Sequence, residues 1–155
     1  MTRLGLVVAG LLALSSCGAS TDPAALPPPE AVVRLLSQGN GAAVVVTSDG
    51  AEDPRLRPHV YPLSPVQSAH AVVDALDSLP QWEVVAGRDG VIWATRRTRI
   101  FHFVDDVYLL LQPAHDSTVI FARSASRARK ADFGQNRRNL GELWQALEKS
   151  VKSEK

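Results

Sequence analysis

At 155 residues the chain has room for one compact domain, and 45% hydrophobic with 21% charged residues is the composition of a folded chain, which excludes wholesale disorder. A formal net charge of +1 excludes bulk electrostatic binding of nucleic acid. A single cysteine excludes an intramolecular disulfide.

The N-terminus gives that cysteine a purpose. Arg3 supplies a minimal positive segment, and Leu4 to Leu14 form an apolar run. The run suits a signal peptide and falls short of the roughly 20 residues that cross a bilayer. It ends in Leu14-Ser15-Ser16-Cys17, which resembles the bacterial lipobox. The resemblance implies residues 1–16 as a cleaved signal peptide, with a diacylglyceryl thioether on Cys17. Each buried methylene contributes about 0.8 kcal/mol, so two or three acyl chains anchor durably. The expected location is extracytoplasmic, with the membrane as a partner through the lipid.

Residues 17–29 are small, polar and proline-rich, ending in Pro27-Pro28-Pro29, which suits a flexible tether. Residues 30–150 are expected to form the single domain, with 151–155 as a polar tail. A short helix is predicted from Glu30 to Gln38, with Val32, Leu35 and Leu36 on one face and Gly39 as its stop. Ala42 to Thr47 is β-branched and strand-like, Ser48-Asp49-Gly50 is a turn, and a brief strand is predicted near Val60. The second helix is better marked: Ser64 as N-cap, Pro65 at the first helical position and Gln67 completing a capping box. Val66, Ala69, Val73, Leu76 and Leu79 form its expected apolar stripe before Pro80.

Trp82 to Arg88 and Val91 to Arg97 flank Asp89-Gly90, a pair that favours a two-residue hairpin. A second hairpin is predicted from Ile100 to Gln112 and Ser117 to Ser126, turning at Pro113 to Asp116. The last helix carries Leu140, Leu143, Trp144, Leu147 and Val151 on one stripe. The fold class is therefore α+β: an antiparallel sheet of about four to five strands, packed on one face with two main helices.

Chemistry concentrates in Asp105-Asp106, in Arg123-Ser124-Ala125-Ser126-Arg127, and in Asp132 to Arg138. The predicted turn sets Asp106 opposite Arg123 and Asp105 opposite Ser124, where directly opposed side chains interact. One face then carries Phe101, Phe103, Val107, Leu109, Ile120 and Ala122 with Asp105 and Ser124; the other carries the Asp106–Arg123 pair beside His102 and Arg127. A carboxylate on an apolar face is costly unless hydrogen-bonded.

Three readings of the cluster stay open. In a structural one, Asp106–Arg123 fixes register, Ser124 satisfies Asp105, and Asp132 caps the last helix with Gln135 as reciprocal partner. In a binding one, Asp105, Asp106, Arg123, Ser124, Ser126, Arg127, Asp132, Asn136 and Arg137 form an anion site, with Arg96, Arg97 and Arg99 adding a basic surface. In a catalytic one, Ser124 or Ser126 acts with His102 and Asp105 in a hydrolase or transferase on an envelope substrate. No G-x-S-x-G elbow accompanies those serines. His59, His70, His102 and His115 lack metal-ligand spacing, and no cofactor is expected.

Phe103-Val104-Asp105-Asp106-Val107, Arg123-Ser124-Ala125-Ser126-Arg127 and Asp132-Phe133-Gly134-Gln135-Asn136-Arg137-Arg138, in this order and spacing, resemble the bacterial family of domain of unknown function 1499. The resemblance runs from about Tyr61 to Leu147. It implies an exported or membrane-associated protein and brings no established activity. Two features depart from the family pattern. Arg129 stands where a glycine usually follows the second arginine of the motif by two places, and a Pro-Asn-Cys-Val-Ser-Ser element near the domain start is absent. The expectation is a lipid-tethered module with a non-catalytic binding or envelope-assembly role, whose partner is an anionic envelope ligand or a protein.

Cys17→Ala should abolish incorporation of radiolabelled palmitate in a bacterial host. Persistent labelling would refute the lipobox assignment.

Overall fold

The computed structural model describes residues 22–128 and 132–153, so the signal peptide, the lipobox and Cys17 lie outside the described residues. Strand alternation organises what is described. In β5 (Val104–Ala114), Asp105, Val107, Leu109 and Leu111 are buried on one face; in β6 (Ser117–Ser126), Thr118, Ile120, Ala122 and Ser124 join them. β5 and β6 are the long central hairpin of the sheet. The other members are β1 (Val44–Val46), β2 (His59–Tyr61), β3 (Trp82–Arg88) and β4 (Val91–Arg97).

The sheet has six antiparallel strands, one more than the upper expectation. The order is β1-β6-β5-β4-β3, and β2 also pairs with β6. The outer edge of β6 is thus occupied in two pieces: β1 faces Arg123 to Ala125, and β2 faces Thr118 to Ile120. The Asp89-Gly90 turn forms where expected, both residues in the left-handed region at φ 54° and 77°. Its glycine is needed twice over. A Cβ on Gly90 would lie 3.0 Å from the Leu111 carbonyl oxygen, and the Leu111 amide donates to the Gly90 carbonyl at 2.8 Å.

The second hairpin corrects the expected register. Its turn is the two residues His115-Asp116, so Ala114 opposes Ser117, Asp105 opposes Ser126, Asp106 opposes Ala125, and Tyr108 opposes Arg123. The expected Asp106–Arg123 and Asp105–Ser124 pairings are each displaced by two residues. Pro113, read as a turn former, sits inside β5 opposite Thr118. The pairing of β4 with β5 stops at Leu110, and a strand lacking a neighbour on one side tolerates a residue without an amide donor. An even displacement keeps every side chain on its expected face.

β5 also starts later than Ile100. Residues 98–103 form a tight connection in which the Thr98 amide donates to the Phe103 carbonyl, the Phe103 amide donates to the Thr98 hydroxyl, and His102 has φ 53°. Phe101 and Phe103 are therefore exposed, at 71% and 46%, instead of joining the core.

Among the described residues three α-helices pack on this sheet: α1 (Pro29–Leu36), α2 (Pro65–Asp77) and α3 (Gln135–Ser153). α2 and α3 supply the main core, where Leu76, Leu140, Leu143 and Leu147 meet Val107, Leu109 and Ile120. α1 covers part of the opposite face, where Val32 and Leu26 join Val91, Trp93 and Leu110. Both faces are covered, not one. Leu26 belongs to the span read as tether and Val151 to the span read as tail, and both are buried.

The capping box of α2 is made in both directions: the Gln67 amide donates to Ser64 Oγ at 3.3 Å, and the Ser64 amide to Gln67 Oε1 at 3.0 Å. Its buried side is Ala71, Val72, Ala75 and Leu76, while Val66 is 67% exposed. This helix is apolar around most of its circumference, so periodicity alone does not select the face. The α3 stripe of Leu140, Leu143, Trp144, Leu147 and Val151 is buried throughout.

Gly90→Ala should destabilise the domain by about 1–2 kcal/mol, from the left-handed backbone and the approach to Leu111. Urea unfolding of the two proteins checks this, and equal midpoints would count against the hairpin geometry.

Candidate functional site

The entry into α3 is a tight reversal. Phe133 and Gly134 are both left-handed, at φ 49° and 79°, which turns the chain back onto the end of the sheet. The Asp132 carboxylate holds this turn by accepting from the Gly134 amide at 3.0 Å and the Asn136 amide at 2.7 Å. Gln135 does not return to complete a capping box. Its Nε2 donates to Asn139 Oδ1 at 2.8 Å, and its Oε1 accepts from Arg138 Nη2 at 3.1 Å.

Asn136 and Asn139 thereby point from α3 into the polar end of the core, and both are fully buried. Asn139 Nδ2 donates to Asp105 Oδ2 at 2.9 Å and to Ser124 Oγ at 3.1 Å. The Ser124 hydroxyl donates to Asn136 Oδ1 at 2.6 Å, and Asn136 Nδ2 donates to the Ala43 carbonyl at 3.1 Å. Asp105 is only 2% exposed. Burial pushes its carboxyl above the ordinary value of 3.8, against the opposing effects of hydrogen bonds from Asn139 and Ser126 and the charge of Arg96.

The other expected residues lie elsewhere. Asp106 points to the opposite face, where Arg127 Nε and Nη2 grip it at 2.8 and 2.7 Å and Trp93 Nε1 donates at 2.9 Å. The partner of Asp106 is thus Arg127, not Arg123: the register sets Asp106 opposite Ala125, between the two arginines, and Arg127 makes the contact. Tyr108 stacks on Trp93 with ring centroids 5.8 Å apart, and Arg123 sits opposite Tyr108 with its Nε buried and without a hydrogen-bond partner. Burial lowers the Arg123 pKa and raises that of Tyr108. Arg137 turns away to Asp53, at 3.4 Å.

The sheet therefore separates Arg123 and Arg127 from Asp105 and Ser124, so these arginines and that serine do not share one anion site. Among the described residues no hydrogen bond joins His102 to Ser124 or Ser126, and the Ser124 hydroxyl is committed to two asparagines.

Above the asparagine network lies an open cleft of roughly 400 Å³. Asp105, Ser126, Asp132 and Gln135 border it, together with Arg96, Arg99 and Arg138. Its rim is apolar: Ile100, Phe101, Phe103 and Phe133 line it while 80%, 71%, 46% and 90% exposed. Arg96 reaches Glu142 at 3.4 Å, and its Nε is buried without a hydrogen-bond partner. Among the described residues, neither Arg99 nor Arg138 has an acidic partner within salt-bridge distance.

Residues 22–147 match the family described as protein of unknown function (DUF1499). The chain belongs to this family. The DUF1499 match begins well upstream of Tyr61, taking in α1, β1 and the packed Leu26. No curated protein matches the sequence. Among solved structures, TTHA0849 from Thermus thermophilus is similar at 12% identity with a TM-score of 0.36, over 71% of this chain and 97% of that one. Among the described residues no helix is long and apolar enough to cross a membrane, and no group of histidine, cysteine or acidic side chains is arranged to hold a metal ion.

Asn139 and Arg138 were not among the expected site residues. Asn139 had a signal: it stands three residues after Asn136 and next to the Leu140–Leu143 stripe, so it had to face inward. Arg138 falls within the Asp132–Arg138 motif without a signal to separate it from Arg137, and the exposed rim depends on β5 starting at Val104, which the sequence does not mark.

The raised Asp105 pKa makes stability fall as pH rises. The native state holds this proton to higher pH than the unfolded chain, so stability is lost between 3.8 and the raised native value. Asp105→Asn removes the titration and keeps an acceptor for Asn139. The stability of the variant relative to the parent should therefore improve as pH rises from about 4, until Asp105 is ionised in the native parent. Urea unfolding across that range checks it, and a constant difference would contradict the assignment.

Proposed function

We propose that this protein is a lipid-anchored, extracytoplasmic component of the bacterial cell envelope, and that its domain is a non-catalytic binding module for an anionic ligand. The cleft over Asp105 and Ser126 is the binding site. The observation that carries this reading is the charge along its wall: Arg96, Arg99 and Arg138 border the cleft, and the last two have no acidic partner among the described residues. Guanidinium groups at a concave site next to hydroxyl and amide donors are suited to carboxylate or phosphate. The lipobox-like Leu14 to Cys17 supports the anchor, and membership of DUF1499 brings no activity that competes with the reading.

A second reading, as a hydrolase or transferase, draws on one observation: Ser126 borders the cleft beside Asp105. Among the described residues no histidine is hydrogen-bonded to Ser126 to serve as its base, so binding is the stronger reading.

Inorganic phosphate tests the anion site. It should raise the melting temperature of the native protein, weakening as salt is added. Arg99→Gln/Arg138→Gln should lose most of that rise, each protein being compared with its own melting temperature without phosphate because Arg138 also bonds Phe133 and Gln135. An equal rise in both proteins would exclude the cleft as the anion site.

A further inference from the structure

Three of the four phenylalanines in the chain, Phe101, Phe103 and Phe133, are exposed on the rim of this one cleft, and Ile100 stands with them. Phe101 and Phe103 stack on each other with ring centroids 5.6 Å apart and contribute nothing to either core cluster. The fold does not force this. β6 carries its phenylalanine, Phe121, packed against the second core cluster. Large apolar side chains gathered in water around a concave site mark a surface that is covered in use. Arg99 and Arg138, which have no acidic partner among the described residues, border the same cleft, and the Arg138 guanidinium is held there by the Phe133 carbonyl and Gln135 Oε1, so whatever covers the rim has an apolar part and an anionic part in contact with one another.

We infer that the cleft binds an amphiphile: a hydrocarbon chain lying over Ile100, Phe101, Phe103 and Phe133, with its anionic end at Arg99 and Arg138. This inference rests on the cleft being the ligand site proposed above. A volume of roughly 400 Å³ is that of a small-ligand site, within the usual span of about 300–1,000 Å³, and one hydrocarbon chain can fill it. The anionic groups already on the cleft oppose an anionic ligand least where they are engaged: Asp132 accepts from the amides that begin α3, and Asp105 is held by Asn139 with its carboxyl shifted toward the neutral form.

The proposed anchor supplies the access. Eight residues lie between Cys17 and Leu26, the first buried side chain among the described residues. With Pro23–Ala25 in a 3-10 turn, that stretch spans less than its extended limit of about 30 Å, so a lipid on Cys17 would keep the domain near a supply of acyl chains. A free fatty carboxylate and an anionic phospholipid both present the required chemistry.

The test uses the full chain in a bacterium fed a fatty acid carrying a photoreactive diazirine. After irradiation, adducts on the purified chain are mapped by peptide mass spectrometry. Adducts should concentrate at residues 99–103 and at Phe133, exceeding those at Val60 and Val66, which are exposed apolar residues outside the cleft. The mass of the adduct separates a free fatty carboxylate from an intact phospholipid.

Phe101→Ser/Phe133→Ser, at exposed positions outside the core, should lower the rim adducts by about tenfold or more. Arg99→Gln/Arg138→Gln should remove the enrichment of anionic over zwitterionic adducts. Rim adducts no more frequent than those at Val60 and Val66, or unchanged by the serine variants, would overturn the inference. So would rim adducts that mirror the bulk lipid composition in the native chain. Phosphate stabilisation without rim adducts would leave the anion site and remove the hydrocarbon. Rim adducts on a chain that takes no palmitate at Cys17 would remove only the anchor.

Discussion

A carboxylate on the apolar face of a sheet must be given hydrogen-bond donors, or its burial outweighs the packing around it. Asp105 sets that condition here, and the first turns of α3 meet it. Asn139 donates to Asp105 and to Ser124, Ser124 donates to Asn136, and Asn136 holds the carbonyl of Ala43 just before β1. One chain of contacts thus joins β5, β6, the approach to β1 and the start of α3. The Asp132 turn fixes where α3 begins, and so whether the two asparagines arrive at the right depth. Polar groups satisfied in this way allow few alternative arrangements, because shifting the helix by one residue would strand several of them at once.

Neighbouring residues on the same strands do different work on the other face. Asp106 is a half-buried carboxylate with two bonds from Arg127 and one from Trp93, and the Trp93 ring packs with Tyr108 above the α1 layer. Adjacent acids at 105 and 106 therefore serve opposite sides of the sheet, one inside a neutral amide network and one in an ion pair. That division explains why the two motif arginines flanking Ser124 and Ser126 belong to the scaffold, while the arginines facing the cleft come from the end of β4, the connection after it, and α3.

Much of this was legible from local chemistry. Asp89-Gly90 specified its hairpin because both positions need a left-handed backbone. Ser64-Pro65 and Gln67 specified the start of α2, and the α3 stripe specified its buried side. The face assignments in β5 and β6 also stood, since an alternating pattern survives a displacement of two residues. The register itself was not legible. Pro113 is an ordinary turn residue, and what lets it sit within a strand is the termination of the β4 pairing at Leu110, a tertiary fact. The same holds for the cleft. Ile100, Phe101 and Phe103 read as strand by composition, and only the Thr98–Phe103 hydrogen bonds turn them outward. The partition of Arg123 and Arg127 from Ser124 follows from strand alternation, but sequence proximity had suggested one shared site.

The division of β6's outer edge between β1 and β2 bears on how this domain tolerates crowding. A long uninterrupted sheet edge offers a template on which another chain can add a strand and start an aggregate. Here one margin consists of two three-residue strands, too short to template much pairing, and the other is β3, whose register shifts between Val84 and Ala86. A bulge of this kind twists an edge out of alignment with an incoming strand. Both margins are thereby poor nuclei for strand addition, which lets the domain stay apart from other copies at high local concentration.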